Sequence, residues 1–337
     1  MASVGEIAKI LNLSPATVSR ALNPKTSHLV REQTRQKIFS ACEKVKFHPD
    51  NIARSLASGK TYKVAFIFGN VAMDLGNQLS GIAMSAACDE LQKNGYNMLI
   101  LGADNQSMRD QDIVNFLRSG VADAYIIGES VVSDKVFDAI RECHAPIVTT
   151  GKTPLNKYSL HLRKDVASVY RDIWTRIPDS FRNEDLIFCM AGCEPCRYSY
   201  ILDTAPVGRD IPLLSIPKTV NVFAFDRALT REMLRDKVDL LKTKKLIWCA
   251  SDLTALGIMD LLSEHGKTPG QDYFLIGYDN IEELSGLEDR AILSTVDSRW
   301  AEYGRMAAQL ALEAIDKPQE KTVVFPLKYI PRKSFPS

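Results

Sequence analysis

Residues 4–23 read VGEIAKILNLSPATVSRALN, and this stretch sets the fold of the N-terminal part of the chain. Its apolar side chains recur at helical spacing on both sides of a polar turn, which predicts two short amphipathic helices. Ser14 is a favourable N-cap, and Pro15 follows at the first helical position, where the N–H has no helical partner to lose. Asn12 lies in the turn, and asparagine tolerates the left-handed backbone conformation.

The head of the chain is predicted to hold three helices, at about Val4–Leu11, Pro15–Leu22 and Arg31–Val45. Two short helices joined by such a turn form a helix-turn-helix, whose second helix fits the major groove of DNA. Residues 1–62 contain ten basic and four acidic residues, whereas the remainder contains 32 basic and 37 acidic ones. A net charge of +6 on the head and −5 on the body indicates a nucleic acid as the partner of the head.

Composition limits the class of protein. The length of 337 residues predicts about two or three domains, and 45% hydrophobic with 25% charged residues is typical of globular proteins. No apolar run approaches the ~20 residues needed to cross a bilayer, and Glu6 and Lys9 interrupt any signal-peptide core. The chain has seven cysteines, an odd number that cannot all pair in disulfides. We therefore predict reduced thiols in a cytoplasmic protein.

Catalytic and metal-binding patterns are weak in this sequence. Cys193 and Cys196 have the spacing of a metal or redox pair, but no second pair follows at a suitable distance, so we interpret them as small packing residues. The five histidines show no ligand spacing. No nucleophile elbow and no standard glycine-rich phosphate loop occurs. We therefore predict neither a metal, nor a cofactor, nor an enzyme.

After Lys63, short apolar runs alternate with longer amphipathic ones. This alternation predicts a doubly wound parallel sheet, and because the pattern restarts after residues 159–165, two α/β lobes are expected. The predicted strands are Val64–Phe68, Asn97–Leu101, Ala124–Ile127, Ile147–Thr149, Leu186–Met190, Val220–Phe225, Leu246–Ala250 and Phe274–Tyr278. The predicted helices are Gly81–Lys93, Asp110–Arg118, Lys135–Arg141, Arg231–Leu241, Leu253–His265 and Trp300–Ile315.

The predicted domain boundaries follow these changes of pattern. Residues 1–48 form the helical head, residues 49–62 a hinge helix or linker, and residues 63–337 a two-lobed core. The lobes are expected at about 63–160 with 297–325 and at about 161–293 with 326–337. The sheet is expected to end near Pro326, which leaves too few residues for an added helical bundle, so we expect a dimer rather than a tetramer.

The chain carries a set of motifs in order: IAK at 7–9, SPATVSRALN at 14–23, VREQTRQKI at 30–38, PDNIARSL at 49–56, CASDLTALG at 249–257, GYDN at 277–280 and LSTV at 293–296. On these motifs it resembles the lactose/galactose repressor (LacI/GalR) family of bacterial transcription regulators. The resemblance implies an α/β fold with a helix-turn-helix head and a two-lobed core like that of periplasmic binding proteins. It also implies a homodimeric repressor of a palindromic double-stranded DNA operator, controlled by a small-molecule effector, a sugar or sugar derivative.

The resemblance places residues of the head against DNA. Arg20 falls where the second helix reads base edges, as a bidentate guanine contact, while Pro15 and Ala16 offer apolar contact to a thymine methyl. Phosphate contacts position such a head without reading sequence, and the residues placed to make them are Thr17, Ser19 and Asn23.

The resemblance also implies that the hinge enters the minor groove. Leu56 falls where the family inserts a leucine at the operator centre, Ala53 lines that groove, and Arg54 lies along the backbone. Partial unstacking of the bases costs a few kcal/mol per step, but the bent DNA then touches more protein. Since a dimer presents two heads and two hinges, the operator is expected to be a near-palindrome.

Five residues are implied to bind the effector between the lobes: Asp74, Leu75, Arg197, Asp252 and Asp279. Asp74 and Leu75 stand where the family often has aromatic residues that stack on the ligand, which leaves the class of ligand open. The alternative role for Asp252 is to cap the helix that follows it. The alternative role for Arg197 is a surface ion pair.

Two alternatives to an effector-controlled regulator stay open at this point. The lobes alone would suit a sugar-binding module with no role on DNA, although the intact basic head argues against this. A regulator that answers to a protein partner would need no small molecule, and the missing aromatic residues in the first strand-to-helix loop allow it.

Overall fold

The computed structural model describes residues 3–22, 26–47, 55, 58–68, 78–102, 106–128, 133–143, 145–150, 159–191, 195–216, 227–284 and 290–336. The chain divides into two compact units, Met1–Thr61 and Tyr62–Ser337. The predicted hinge residues Ala53, Arg54 and Leu56 lie outside the described residues, as does Asn23.

In residues 3–22 and 26–47 the smaller unit has three α-helices, namely α1 (Val4–Leu11), α2 (Pro15–Leu22) and α3 (Glu32–Lys44). The first two begin and end at the predicted residues, and α3 is one residue shorter at each end. A capping box starts α1, with Glu6 N donating to Ser3 Oγ and Ser3 N donating to Glu6 Oε2. The apolar stripes of the three helices meet in a small core, in which Ile7, Val18 and Ile38 are fully buried.

The turn between α1 and α2 has the backbone that the sequence predicts. Asn12 adopts the left-handed conformation, with φ 52° and ψ 46°. The Ser14 hydroxyl accepts a hydrogen bond from Thr17 N at 3.1 Å, as an N-cap does. These two residues fix the direction in which α2 leaves the turn.

The described residues of the larger unit form two six-stranded sheets. The first has the order β11-β5-β4-β3-β1-β2 and the second has the order β12-β10-β9-β8-β6-β7. All paired strands are parallel except β12, which runs antiparallel to β10. The strands are β1 (Lys63–Phe68), β2 (Asn97–Gly102), β3 (Ala124–Ile127), β4 (Ile147–Thr149), β5 (Ser159–Lys164), β6 (Leu186–Ala191), β7 (Leu213–Ile216), β8 (Leu246–Cys249), β9 (Phe274–Tyr278), β10 (Ser294–Asp297), β11 (Lys321–Phe325) and β12 (Lys328–Ile330). This arrangement confirms the predicted fold class.

Helices follow most of the strands. They are α4 (Gln78–Lys93), α5 (Gln106–Arg118), α6 (Asp134–Glu142), α7 (Val166–Arg176), α8 (Pro195–Thr204), α9 (Arg227–Met233), α10 (Val238–Lys242), α11 (Asp252–Ser263), α12 (Ile281–Leu284) and α13 (Trp300–Asp316). Helix α13 follows a strand of the second sheet but packs on the first. It crosses α4 so closely that a Cβ on Gly304 would overlap the carbonyl oxygen of Ala83. The chain therefore passes between the lobes just before α13.

Strand β5 corrects the predicted lobe boundary. It pairs with β4 and β11 in the first sheet, so the boundary expected near residue 160 falls inside this strand, and the first lobe continues to Lys164. Leu160 and Leu162 are fully buried, while His161 and Arg163, which follow them in turn, are more exposed. This alternation has the period of a strand with one solvated face.

Two further predictions differ from the structure, and a third is not tested by it. The helix predicted at Arg231–Leu241 is two helices, α9 and α10, because a tighter 3-10 turn separates them at Arg235–Lys237. The sheet does not end near Pro326, since β12 follows, and the tail beyond it packs Phe335 into the core at 1% exposure. The strand predicted at Val220–Phe225 lies outside the described residues.

Candidate functional site

The second helix of the head presents one exposed face. Pro15, Ala16, Ser19 and Arg20 are exposed, whereas Val18, between them in sequence, is buried against the other helices. The predicted base-reading residues therefore share the surface that the core leaves open. The helix period explains this, because the first, second, fifth and sixth residues of a helix lie on neighbouring parts of one face.

Two hydroxyl groups of the head are engaged in holding the helix ends. Thr17 is half-buried, and its Oγ1 lies 2.8 Å from Ser14 Oγ at the start of α2. Beyond the other end, Thr26 Oγ1 donates to the carbonyl oxygen of Arg20 at 3.0 Å. This bond ties the following 3-10 turn, Ser27–Leu29, to the C-terminus of the helix that carries Arg20.

In the core, Asp279 lies directly after β9, at the carboxyl end of the second sheet. Its side chain is buried, and its backbone adopts φ 113°. Its Oδ1 accepts bonds from Trp300 Nε1 at 3.3 Å and from Ser298 Oγ at 3.4 Å. Burial raises the pKa of this carboxyl group, although the positive charges of Arg197 and Lys164 act in the opposite direction.

Arg197 lies in the first turn of α8 and reaches the same end of the sheet. Its guanidinium donates to the carbonyl oxygen of Ala250, just beyond β8. The guanidinium carbon lies 4.3 Å from the centre of the Tyr278 ring at the end of β9. This is a cation–π contact, and together with the hydrogen bond it fixes the side chain across the ends of two strands.

Lys164, the last residue of β5, approaches from the first lobe. Its Nζ lies 3.4 Å from the centre of the Trp300 ring and 4.7 Å from that of Tyr303. Neither Lys164 nor Trp300 was predicted from the sequence to be a site residue. The alternation of polar and apolar residues in β5 was the signal that could have placed Lys164 at a strand end.

Asp252, which was predicted to bind the effector or to cap the helix that follows it, lies inside the second lobe. It is 1% exposed, and its carboxylate accepts Thr295 Oγ1 at 2.6 Å and Ile281 N at 2.7 Å. Burial raises its pKa to about 7. It does not cap α11, because Ser251 is the N-cap and accepts from Thr254 N. Asp252 thus ties α11, α12 and β10 together within the second lobe.

The ends of β5, β8 and β9 therefore bring together two cations, a buried carboxylate and an aromatic ring from two lobes. Binding sites for polar small molecules combine such groups at the carboxyl ends of parallel strands. Asp74 and Leu75, the other predicted effector residues, lie outside the described part of the chain. Within the described ranges, no group of three or more potential ligands could hold a metal ion. Among the described helices, none is long and apolar enough to cross a membrane.

Comparison with known families agrees with both parts of this description. Residues 3–50 match the model of bacterial regulatory proteins of the lacI family, and residues 216–335 match a periplasmic binding protein-like domain. Residues 3–50 therefore form a lacI-family domain. The resemblance drawn from the motifs is thereby confirmed.

Related proteins match nearly the whole length of the chain. The HTH-type transcriptional regulator RegA of Clostridium acetobutylicum is 23% identical over 333 residues, which are 97% of each chain. A crystal structure of the Lac repressor dimer bound to operator and the anti-inducer ONPF has a TM-score of 0.75 at 17% identity, over 100% of this chain and 99% of that one. The regulator CelR in complex with cellobiose has a TM-score of 0.65 at 16% identity, over 99% and 100%. These structures share the fold.

Proposed function

We propose that this LacI-family protein is a cytoplasmic transcriptional repressor that binds a palindromic operator as a homodimer. A small molecule in the cleft between the lobes, a sugar or sugar derivative, controls its affinity for DNA. The observation that carries the proposal is the exposed face of α2, which presents Arg20 next to Pro15, Ala16 and Ser19 in a basic helix-turn-helix head. The names of the matched structures, a repressor on its operator and a regulator with cellobiose, support both parts.

Within the head, Arg20 reads a guanine and Pro15 with Ala16 contacts a thymine methyl. A bidentate contact of this kind is worth roughly 1–3 kcal/mol of discrimination against the wrong base. Ser19 and Asn23 bind phosphates, and Thr17 contributes through the cap it shares with Ser14. Since Pro15 and Ala16 have no side-chain donor, most polar base reading in α2 rests on Arg20.

The hinge couples the head to the core in this proposal. Leu56 inserts into the minor groove, Ala53 lines it, and Arg54 runs along the backbone. The wedge kinks the DNA, and the bend brings both heads of the dimer onto their half-sites. An effector that moves the lobes changes whether this hinge can form on DNA, and such coupling is typically worth about 1–3 kcal/mol.

In the cleft, Arg197 and Asp279 contact the effector, and Asp74 and Leu75 bind it from the first strand-to-helix loop. Asp252 acts indirectly, because its carboxylate oxygens bond to Ile281 and Thr295 rather than standing at the surface. We assign it the task of positioning the segment that leads to Asp279.

The proposal is tested by selecting DNA sequences from a random library with the full-length protein. We expect a symmetric site, bound with a strong dependence on salt because phosphate contacts release counterions. The selected site is then titrated in the presence of a panel of sugars and sugar derivatives, one of which should change the affinity at least tenfold. Recovery of no symmetric site at any salt concentration would disprove the DNA-binding role.

A further inference from the structure

The chain enters the larger unit through an unusual backbone conformation at Tyr62. This residue is the first of the larger unit and directly precedes β1, and its φ is 54°. That value lies in the left-handed region, which glycine and asparagine adopt readily and a bulky aromatic residue rarely does. A strained residue of this kind persists only where the surrounding structure holds it, so its contacts identify the groups that impose the conformation.

Hydrogen bonds from both sides of β1 hold the backbone of Tyr62, since β1 lies between β2 and β3 in the first sheet. On the side of β2, Asn97 N donates to the carbonyl oxygen of Tyr62 at 2.9 Å. On the side of β3, Oδ2 of Asp123 accepts from Tyr62 N at 2.9 Å, and Asp123 N donates to the carbonyl oxygen of Lys63 at 2.8 Å. Asp123 therefore binds two consecutive residues at the point where the chain enters the sheet.

The side chain of Tyr62 is held as well as its backbone. Its ring centre lies 5.7 Å from that of Tyr96, with an angle of 52° between the planes. Tyr96 directly precedes β2 and is 5% exposed, and Tyr62 packs against the core of the first lobe to which Tyr96 belongs. Such a tilted aromatic contact stabilises the observed position of the ring and opposes the strain in the backbone.

We propose that Asp123 is a positioning residue for operator binding, because it holds Tyr62 in the left-handed conformation and so fixes the path of the chain between the hinge and the first lobe. The inference rests on the proposed function, in which the hinge couples the head to the core. It adds a residue of the core, which contacts no DNA itself, to those that determine the affinity for the operator.

Loss of the Asp123 carboxylate removes the partner of Tyr62 N and leaves the strain of the positive φ unopposed on that side. Tyr62 then relaxes toward negative φ, which residues other than glycine prefer, and the segment before it takes several directions. A dimer binds its operator only when two heads and two hinges occupy fixed places on one duplex. The added freedom is lost on binding, which lowers the affinity for the operator. Non-specific binding through phosphates has no such geometric requirement.

The first experiment measures DNA affinity of full-length variants by fluorescence anisotropy, on the selected operator and on an unrelated duplex. We expect Asp123→Ala to weaken operator binding about fivefold or more and to change binding of the unrelated duplex less than about twofold. Asp123→Asn keeps an acceptor oxygen for Tyr62 N, so it should bind the operator within about twofold of the unmodified protein.

The matched control for Asp123→Ala is Asp272→Ala. Asp272 also accepts a backbone N–H, from Thr268 at 2.8 Å, but it does so in a turn of the second lobe. Its removal should cost a similar amount of stability and leave operator affinity unchanged. Equal operator affinity of Asp123→Ala and Asp272→Ala would overturn the positioning role.

The second experiment tests the backbone conformation of Tyr62 separately from its ring. Tyr62→Asn and Tyr62→Val both remove the ring, but asparagine tolerates a positive φ and β-branched valine does not. We therefore expect Tyr62→Val to bind the operator about fivefold or more weakly than Tyr62→Asn. Equal affinities of these two variants would show that the left-handed conformation has no part in DNA binding.

The third experiment needs no DNA. Limited digestion with trypsin is followed by mass spectrometry at Lys60 and Lys63, the basic residues on either side of Tyr62. We expect Asp123→Ala to be cut there about fivefold or more faster than Asp272→Ala, because release of Tyr62 frees the adjacent peptide bonds. Equal cleavage rates would contradict the claim that Asp123 holds this segment.

These experiments separate failure of the inference from failure of the proposed function. If an operator is selected and Asp123→Ala binds it as the unmodified protein does, the repressor function stands and the positioning role of Asp123 is wrong. If Asp123→Ala is cut faster but no symmetric operator is recovered, Asp123 holds Tyr62 as described, and the repressor function is wrong together with any role of Asp123 in it.

Discussion

Trp300 Nε1 lies 3.3 Å from Asp279 Oδ1, and this contact joins a helix that packs on the first sheet to the end of a strand in the second. The substitution Trp300→Phe replaces the indole by a smaller aromatic ring and removes the Nε1–H donor. We expect the free energy of unfolding to fall by about 1–2 kcal/mol in urea titrations, because a buried carboxylate loses a hydrogen bond. Trp174→Phe is the control, since its Nε1 bonds to Ile201 O inside the second lobe. Both variants should lose stability, but only Trp300→Phe should alter effector affinity.

The close crossing of α4 and α13 gives a second prediction. Gly304→Ala places a Cβ against the backbone of Ala83, where no flexible side chain can give way. We expect a loss of roughly 3 kcal/mol or more, as for other overpacked helix contacts. Gly81→Ala on α4 has no heavy atom within 4 Å and should gain up to about 1 kcal/mol from helix propensity. Equal stability of the two variants in thermal unfolding would contradict this packing.

The raised pKa of Asp252 predicts how the free energy of unfolding depends on pH. Its pKa is about 7 in the folded protein and near 3.8 in an unfolded chain, so the folded state holds the proton more tightly. A raised carboxyl pKa contributes stability that is present below about pH 4 and is lost as the pH rises through about 7.

We therefore expect Asp252 to reduce the free energy of unfolding between pH 4 and 7 by roughly 3–4 kcal/mol. Asp252→Asn should flatten this part of the profile, because an amide does not ionise and, like the protonated carboxyl group, can accept from Ile281 N and donate to Thr295 Oγ1. Asp279 also has a raised pKa and adds to the same trend, so the comparison is made between wild type and variant. An unchanged slope would rule out Asp252 as its source.

A further prediction concerns the contribution of Arg20 to the affinity and base preference of DNA binding. Arg20→Ala should weaken binding to the selected operator roughly 5- to 150-fold and relax the preference at one base pair of each half-site. Lys44→Ala, which removes a charge of the same sign at the far end of α3, should change affinity little. Fluorescence anisotropy on the operator and on single-base variants measures both. Uniform weakening on every sequence would indicate a phosphate contact instead.

The sequence predicted the head closely because its information is local. Ser14, Pro15 and the apolar spacing define α2 without help from the rest of the chain, and Asn12 meets the local requirement of the turn. Strands β3, β4 and β9 were predicted with the observed bounds for a similar reason, since they are short buried apolar runs.

The remaining features depend on contacts between distant parts of the chain. Strand β5 mixes polar and apolar residues, and its place in the first sheet is fixed by pairing with β11, which comes far later in sequence. Lys164 and Trp300 meet only because the chain crosses between the lobes before α13. The hydrogen bonds of Asp252 were not predicted, because its partners, Thr295 and Ile281, come from other segments of the chain. These positions depend on the topology of the fold, and the local periodicity of the sequence does not predict topology.

We propose that one molecule bound in the cleft controls the affinity of the head for DNA. This is measured as the affinity of the full-length protein for its selected operator, by fluorescence anisotropy at fixed salt, with and without saturating concentrations of sugars and sugar derivatives. One of these molecules should change the operator affinity at least tenfold. Identical operator affinity with and without every one of them would disprove control by such an effector.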